Sequence, residues 1–242
     1  MEKSRVAEGI VLFTPLLLPF NSLLNKMIKN VIFDFGAVIL DLRPDRCIEQ
    51  FCAIGYPQIR ELLNVAHQQG PLGKIEEGQL TLDAFCDEIR DGIRTANPNA
   101  TLPDNRQIVN AFASMADGIP FERLDCIAQL KRDGMHVAAL SNTNPVHWGY
   151  CQRYFIEAGY VPTELFEHIW LSCDLHLAKP DPRIFRHILD DSGYAADETL
   201  FVDDSPRNCE VAGSFGIHTL CPPPRSDWRA DLRALLADIN RQ

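Results

Sequence analysis

Apolar residues gather in five short runs, at residues 31–33, 137–140, 169–171, 200–202 and 217–220. They read as continuous rather than alternating, as expected of strands covered on both faces in a parallel sheet. Between them the period lengthens. Phe121, Leu124, Ile127 and Ala128 mark one helix, and Ile184, Phe185, Ile188 and Leu189 another, opened by Asp181 as N-cap with Pro182 at N1. This alternation predicts an α/β fold, a doubly wound, Rossmann-like parallel sheet.

Residues 43–118 interrupt the alternation and offer no convincing strand. Helices are expected at 45–53, 58–67, 81–93 and 104–115. In the third, Leu82, Phe85, Cys86, Ile89 and Ile93 make one apolar stripe. A helical stretch this long after the first strand is a second small domain and not a crossover. The expected organisation is an extension at 1–26, an α/β core from 27–42 and 119–242, and a helical cap at 43–118. Within the cap, Gly70-Pro71-Leu72-Gly73-Lys74 reads as a turn, with a specificity or hinge loop as its functional alternative.

Composition narrows the function. With 23 Lys+Arg against 33 Asp+Glu, the net charge of −10 does not suit a protein that tracks nucleic-acid phosphates. No apolar run reaches the roughly 18–20 residues of a membrane span. The eight cysteines form no C-x-x-C and sit mostly among apolar neighbours, which predicts free thiols and a cytoplasmic setting. Lys3 and Arg5 precede an apolar run between Ile10 and Phe20 that imitates a signal peptide. Pro15 and Pro19 break it and no small-x-small cleavage site follows, so residues 1–26 read as an upstream extension.

In open α/β sheets ligands bind beyond the carboxyl ends of the strands. Asp34-Phe35-Gly36 follows the first run, Ser141-Asn142-Thr143-Asn144 the second, and Asp203-Asp204-Ser205 the fourth, while Lys179 precedes Pro180 and a helix. Taken singly, these would be loop carboxylates, helix caps and a solvated lysine. Together they converge on one edge of the sheet. Clustered carboxylates call for a hard divalent cation, and Mg²⁺ takes a few carboxylates plus substrate phosphate. A carboxylate beside such an ion can attack phosphorus, Ser141 can hold phosphoryl oxygens, and Lys179 can offset charge in the transition state. His147 and Trp148, just beyond, read as a first helical turn packed on the core, with sugar contact as the alternative.

Phe33-Asp34-Phe35-Gly36-Ala37-Val38, Leu140-Ser141-Asn142-Thr143-Asn144, Lys179-Pro180-Asp181-Pro182 and Phe201-Val202-Asp203-Asp204-Ser205 resemble the four ordered motifs of the haloacid dehalogenase superfamily. The likeness runs from about residue 28 to residue 220, and the insert stands at the helical cap position of the first subfamily. It implies Asp34 as nucleophile and Mg²⁺ ligand, a Gly36 carbonyl on the metal, Ser141 and Asn142 on phosphate, and Lys179 steadying nucleophile and phosphate. Asp203 and Asp204 would complete the metal site. Phosphatases of this family usually carry Asp two residues after the nucleophile as general acid/base; here Gly36 stands there. A missing general acid forfeits roughly 10²–10⁴-fold in rate. This D-x-G-x-V opening, with S-N-T-N and a following His-Trp, looks like the bacterial α-D-glucose-1-phosphate phosphatase branch. The departure disfavours a mutase, which needs the second Asp, and Asp203-Asp204 disfavours a metal-free dehalogenase. A receiver domain would place its acidic pair first in the chain, not last.

The expected activity is therefore a Mg²⁺-dependent phosphatase working through an aspartyl-phosphate on a small phosphorylated metabolite, with a sugar phosphate preferred. Neither nucleic acid nor membrane is an expected partner, and monomer and homodimer stay open. The rival is a non-catalytic phosphometabolite-binding or regulatory protein that lost its acid at position 36.

Overall fold

The computed structural model describes residues 27–63 and 68–241; the upstream extension and its signal-like run lie outside them. Strand β1 (Asn30–Phe33) is followed by α1 (Pro44–Ala53), α2 (Ile59–Leu62), α3 (Gly70–Glu76), α4 (Leu82–Ala96) and α5 (Asn105–Ala113). Then come α6 (Phe121–Arg132), β2 (His136–Ser141), α7 (Pro145–Glu157), α8 (Pro162–Leu165), β3 (His168–Leu171), α9 (Ser172–Leu175) and α10 (Pro182–Ser192). The chain closes with β4 (Thr199–Val202), α11 (Pro206–Ser214), β5 (His218–Leu220) and α12 (Arg229–Ile239).

The five strands form one parallel sheet in the order β3-β2-β1-β4-β5. Successive strand residues face opposite sides, which is why the apolar runs are unbroken. Val31, Phe33, Val137, Ala139, Leu200 and Val202 pack against α6, α7 and α12. Ile32, Ala138, Leu140 and Phe201 pack on the other side against Ile184, Phe185 and Ile188 of α10 and Ala212 of α11. The core is thus an α/β doubly wound fold. The chain builds outward from β1 through β2 to β3, then crosses back to β4. The switch point therefore lies where β1 and β4 end side by side, the place where such sheets bind ligands.

The inserted helices α1–α5 bury an apolar centre of their own, built on Phe51, Phe85, Ile89, Ile108 and Phe112 and closed by Val146 from α7. Two chain segments join this insert to the core, and they zip together. Leu42 and Ala116 form an antiparallel bridge, flanked by Asp41 N–H to Gly118 O at 2.9 Å and Arg43 N–H to Met115 O at 2.7 Å. The Arg43–Asp117 pair at 2.6 Å and the Arg123–Asp41 pair at 2.9 Å clamp the ribbon.

Residues 70–74, expected as a turn, open helix α3 instead. Pro71 supplies the preset φ and missing N–H that a first helical turn tolerates. Gly73 is required by contact: a Cβ there would stand 2.6 Å from the Gln68 carbonyl oxygen. The expected helix at 58–67 is described only over Ile59–Leu62, and residues 64–67 lie outside the described chain.

Candidate active site

Strand pairing delivers two acids to one edge. The Asp34 N–H donates to Val202 O of β4 at 2.9 Å, and the Asp203 N–H donates to Leu220 O of β5 at 3.2 Å. Lys179 Nζ lies between their carboxylates, 2.9 Å from Asp34 Oδ1 and 2.7 Å from Asp203 Oδ2, and also donates to Leu140 O at 2.9 Å. The lysine is 1% exposed. Burial alone would lower its pKa, but Asp203 and Asp34 more than reverse that, so it stays charged.

Asp203 accepts hydrogen bonds at both oxygens. Its Oδ1 accepts from Ser205 N–H at 2.9 Å, and Asn208 Nδ2 lies 3.0 and 3.1 Å from its two oxygens. Asn208 is a site residue that the sequence did not single out; the only cue is its place on the first turn of α11, five positions after Asp203. Asp34 is differently placed. Both hydrogen bonds it accepts, from Phe35 N–H at 2.7 Å and Lys179, fall on Oδ1, leaving Oδ2 with no donor among the described residues.

Ligand oxygens of Asp34, Asp203 and Asp204 lie within 4.8 Å of one another. Burial raises the Asp34 carboxyl to about 7 despite the pull of Lys179, with Asp203 and Asp204 adding repulsion. Asp204 rises to about 6 through burial and Asp203. Three carboxylates thus share one ammonium, and the site carries uncompensated negative charge when ionised. Hard oxygen donors in excess over buried cations are the donor set a divalent cation of the Mg²⁺ type fits.

Asp34 and Asp204 line a cavity of about 320 Å³ together with Gly36, Ser141, Asn142, Thr143 and Lys179 from the core, and Gln68, Glu76 and Met115 from the insert and its linker. Asn142 was expected on phosphate, but its side chain is engaged elsewhere. Its Nδ2 donates to Lys179 O at 2.7 Å and its Oδ1 accepts from Lys179 N–H at 2.8 Å. It holds the lysine's main chain, and of the two side chains expected on phosphate only the Ser141 hydroxyl is left for it. Gly36 has no side chain to offer, and a Cβ there would come 3.2 Å from Leu42 Cδ1.

The insert is pinned at the cavity's rim. Ser172 Oγ lies 2.6 Å from Glu76 O and accepts from Thr143 N–H at 2.9 Å. Gly78, at φ +67°, lies so near Cys173 O that a Cβ could not be placed, and Glu77 O is 3.1 Å from His176 Nδ1. Glu76 consequently faces Asp34, and burial, then Asp34 and Glu77, push its carboxyl up to about 8. His147 also lines the cavity, but both ring nitrogens are occupied, by Asn144 Nδ2 at 2.9 Å and Phe112 O at 3.0 Å. Trp148 stacks on Phe35 at 5.2 Å, so the packed-helix reading describes both.

Residues 28–216 match the haloacid dehalogenase-like hydrolase family. The chain is 33% identical over 212 residues to a D-ribitol-5-phosphate phosphatase of Bacteroides thetaiotaomicron, covering 87% of this chain and 99% of that one. A haloacid dehalogenase family enzyme from Bacteroides thetaiotaomicron, solved with magnesium and inorganic phosphate, superposes with a TM-score of 0.77 at 35% identity, covering 85% of this chain and 99% of that one. A predicted HAD-like hydrolase from Porphyromonas gingivalis gives a TM-score of 0.78 at 31% identity, covering 87% and 98% of the two chains.

Proposed function

This chain belongs to the haloacid dehalogenase-like hydrolase family, and from that membership we propose that it is a Mg²⁺-dependent phosphatase of a small phosphorylated polyol or sugar. The observation that carries the reading is the position of Lys179, held between Asp34 and Asp203 with Asp34 Oδ2 left free of donors. An oriented, donor-free carboxylate oxygen beside a buried ammonium is what a nucleophile requires.

In this reading Asp34 Oδ2 attacks phosphorus in line, the P–O bond to the polyol or sugar breaks with the departing oxygen taking a proton from water, and an aspartyl-phosphate forms. Water then attacks that phosphorus and gives up a proton to solvent, the Asp34–phosphorus bond breaks, and inorganic phosphate leaves with Asp34 restored. Lys179 fixes Oδ1, which aims Oδ2, and offsets charge on the transferring group. Ser141 holds a phosphoryl oxygen through its hydroxyl, and Asn142 contributes through its main chain because its side chain anchors Lys179. Asp34, Asp204, the Gly36 carbonyl and Asp203 would hold Mg²⁺, Asp203 also serving as the lysine's anchor. When bound, the ion neutralises the carboxylates and polarises the phosphoryl group. Residues 43–118 act as the cap that walls the leaving group from bulk water. The eight free cysteines support a reducing setting such as the cytoplasm.

The relative similar over its full length is named for a polyol phosphate, so this proposal moves away from glucose 1-phosphate. The test is phosphate release from D-ribitol 5-phosphate, other polyol and sugar phosphates, glucose 1-phosphate, nucleotides and p-nitrophenyl phosphate, with Mg²⁺ and with EDTA. Mg²⁺-dependent release that disappears in Asp34→Asn is the expected result. No release above that variant's background from any compound would overturn the reading.

A further inference from the structure

One wall of the cavity takes no part in phosphoryl transfer. Among the described residues, three buried side-chain atoms have no hydrogen-bond partner: Gln58 Oε1, Gln68 Oε1 and Ser226 Oγ. Of these residues only Gln68 lines the cavity. It is 8% exposed, and a buried amide oxygen with no protein partner at a cavity wall is placed to pair with a polar group that enters the cavity.

Gln68 is also held in place. It precedes α3, where Gln69 N–H donates to Leu62 O at 3.2 Å and Gly73 N–H to Gln69 O at 3.4 Å. Its own carbonyl is pressed so close to Gly73 that a Cβ there would sit 2.6 Å away. A side chain on a pinned backbone is a preorganised contact.

The chemistry of the free atom selects its partner. An amide's oxygen and nitrogen ends exchange places by a simple flip, so its free end can accept or donate. A hydroxyl, which does both, suits either orientation, whereas a phosphate or carboxylate suits only one. The phosphate in any case belongs at Asp34, Ser141 and Lys179. About 320 Å³ lies at the low end of the roughly 300–1,000 Å³ of small-molecule sites, room for a short polyhydroxy chain and not for a polymer. We propose that Gln68 is a specificity-determining residue that reads a hydroxyl of the leaving group, making the preferred substrate a polyol phosphate over a hydroxyl-free phosphomonoester. This deepens the phosphatase reading and rests on it.

The experiment compares kcat and KM for D-ribitol 5-phosphate and for phenyl phosphate in wild type, Gln68→Met and Gln68→Asn. Met is nearly isosteric but cannot donate or accept strongly; Asn keeps the amide and shortens its reach. Removing the hydroxyl's partner should lower kcat/KM for ribitol 5-phosphate about tenfold more than for phenyl phosphate, chiefly through KM. Gly73→Ala, which displaces Gln68 without altering it, should shift the ratio the same way. Equal losses on both substrates, or none, would overturn the proposal. If wild type cleaves neither compound, the phosphatase reading is decided by the wider panel of phosphates above. Calorimetry then decides the hydroxyl contact on its own, with ribitol 5-phosphate and inorganic phosphate as probes of Asp34→Asn in Mg²⁺. Loss of a preference for ribitol 5-phosphate on adding Gln68→Met supports it, and an unchanged or absent preference refutes it.

Discussion

Lys179 is the cation on which the site's electrostatics turn. It is the only Lys or Arg among the described residues lining the cavity, and it faces Asp34, Asp203 and Asp204. Removing one partner of a buried ion pair costs about 3–5 kcal/mol, because the charge left behind has neither water nor a counter-ion. Lys179→Met should therefore be less stable than wild type by about that amount at pH 8 in EDTA, measured by urea unfolding. The deficit has a definite pH dependence. Asp34 and Asp204 already have folded pKa values of about 7 and about 6, above the ordinary 3.8, and losing the lysine raises them further. A carboxyl raised on folding binds more protons in the native state, so stability returns as pH falls. The gap between variant and wild type should shrink from pH 8 to pH 5. A gap that stays constant would mean that the lysine's contribution is packing against Phe201, 5.4 Å from its ring centroid, and not charge.

At the scale of elements, His147 joins the two halves. It sits on α7 of the core, its Nε2 reaches Phe112 O on α5, and its ring lies 4.2 Å from that of Phe112. With Nε2 donating to a carbonyl, Nδ1 accepts from Asn144 and the ring is neutral. Burial lowers its pKa to about 4 from the ordinary 6.5. A depressed histidine contributes stability that is complete above 6.5 and lost as pH falls toward 4, because only the unfolded chain takes up the proton. The loss amounts to about 2 kcal/mol between pH 7 and pH 5. Raised carboxyls such as Glu76 act in the opposite sense, so the informative quantity is the difference from His147→Gln. Wild type should be the more stable at pH 7, with the gap closing by about 2 kcal/mol at pH 5. Parallel pH curves would remove His147 from this role. The elements also show what a sequence exposes. Strands covered on both faces are unbroken apolar runs, and residues just past them must fall at the sheet's edge, so Asp34, Ser141, Lys179 and Asp203-Asp204 were legible. Helix α3 was not, since Gly70, Pro71 and Gly73 carry turn chemistry, although Pro71 also suits a first helical turn and Gly73 leaves room for the Gln68 carbonyl five residues back. Gln68 and Glu76 were invisible because the way they face depends on the placement of the insert, which Ser172 and Cys173 anchor to the core. Asn142 had the right position but a side chain claimed by Lys179.

The whole molecule carries a net charge of −10, yet its proposed substrate is a dianion. One divalent cation would remove only two of those charges. That, with Lys179, only brings the site close to neutral: three positive charges stand against Asp34, Asp203 and Asp204, while Glu76, raised to about 8, keeps its proton near neutral pH. Capture must therefore work against the long-range field and depend on short-range contacts made after arrival. Salt discriminates the two. The Debye length falls from about 30 Å at 0.01 M to about 8 Å at 0.15 M, which screens approach while leaving buried pairs such as Lys179–Asp34 nearly untouched. At constant free Mg²⁺, kcat/KM for a dianionic phosphomonoester should rise about two- to five-fold over that range, with kcat nearly unchanged. An enzyme that steers its anion in would show the reverse. A fall in kcat/KM with salt would place an attractive potential at the cavity mouth, and the approach would then be guided by charges outside the residues that line it.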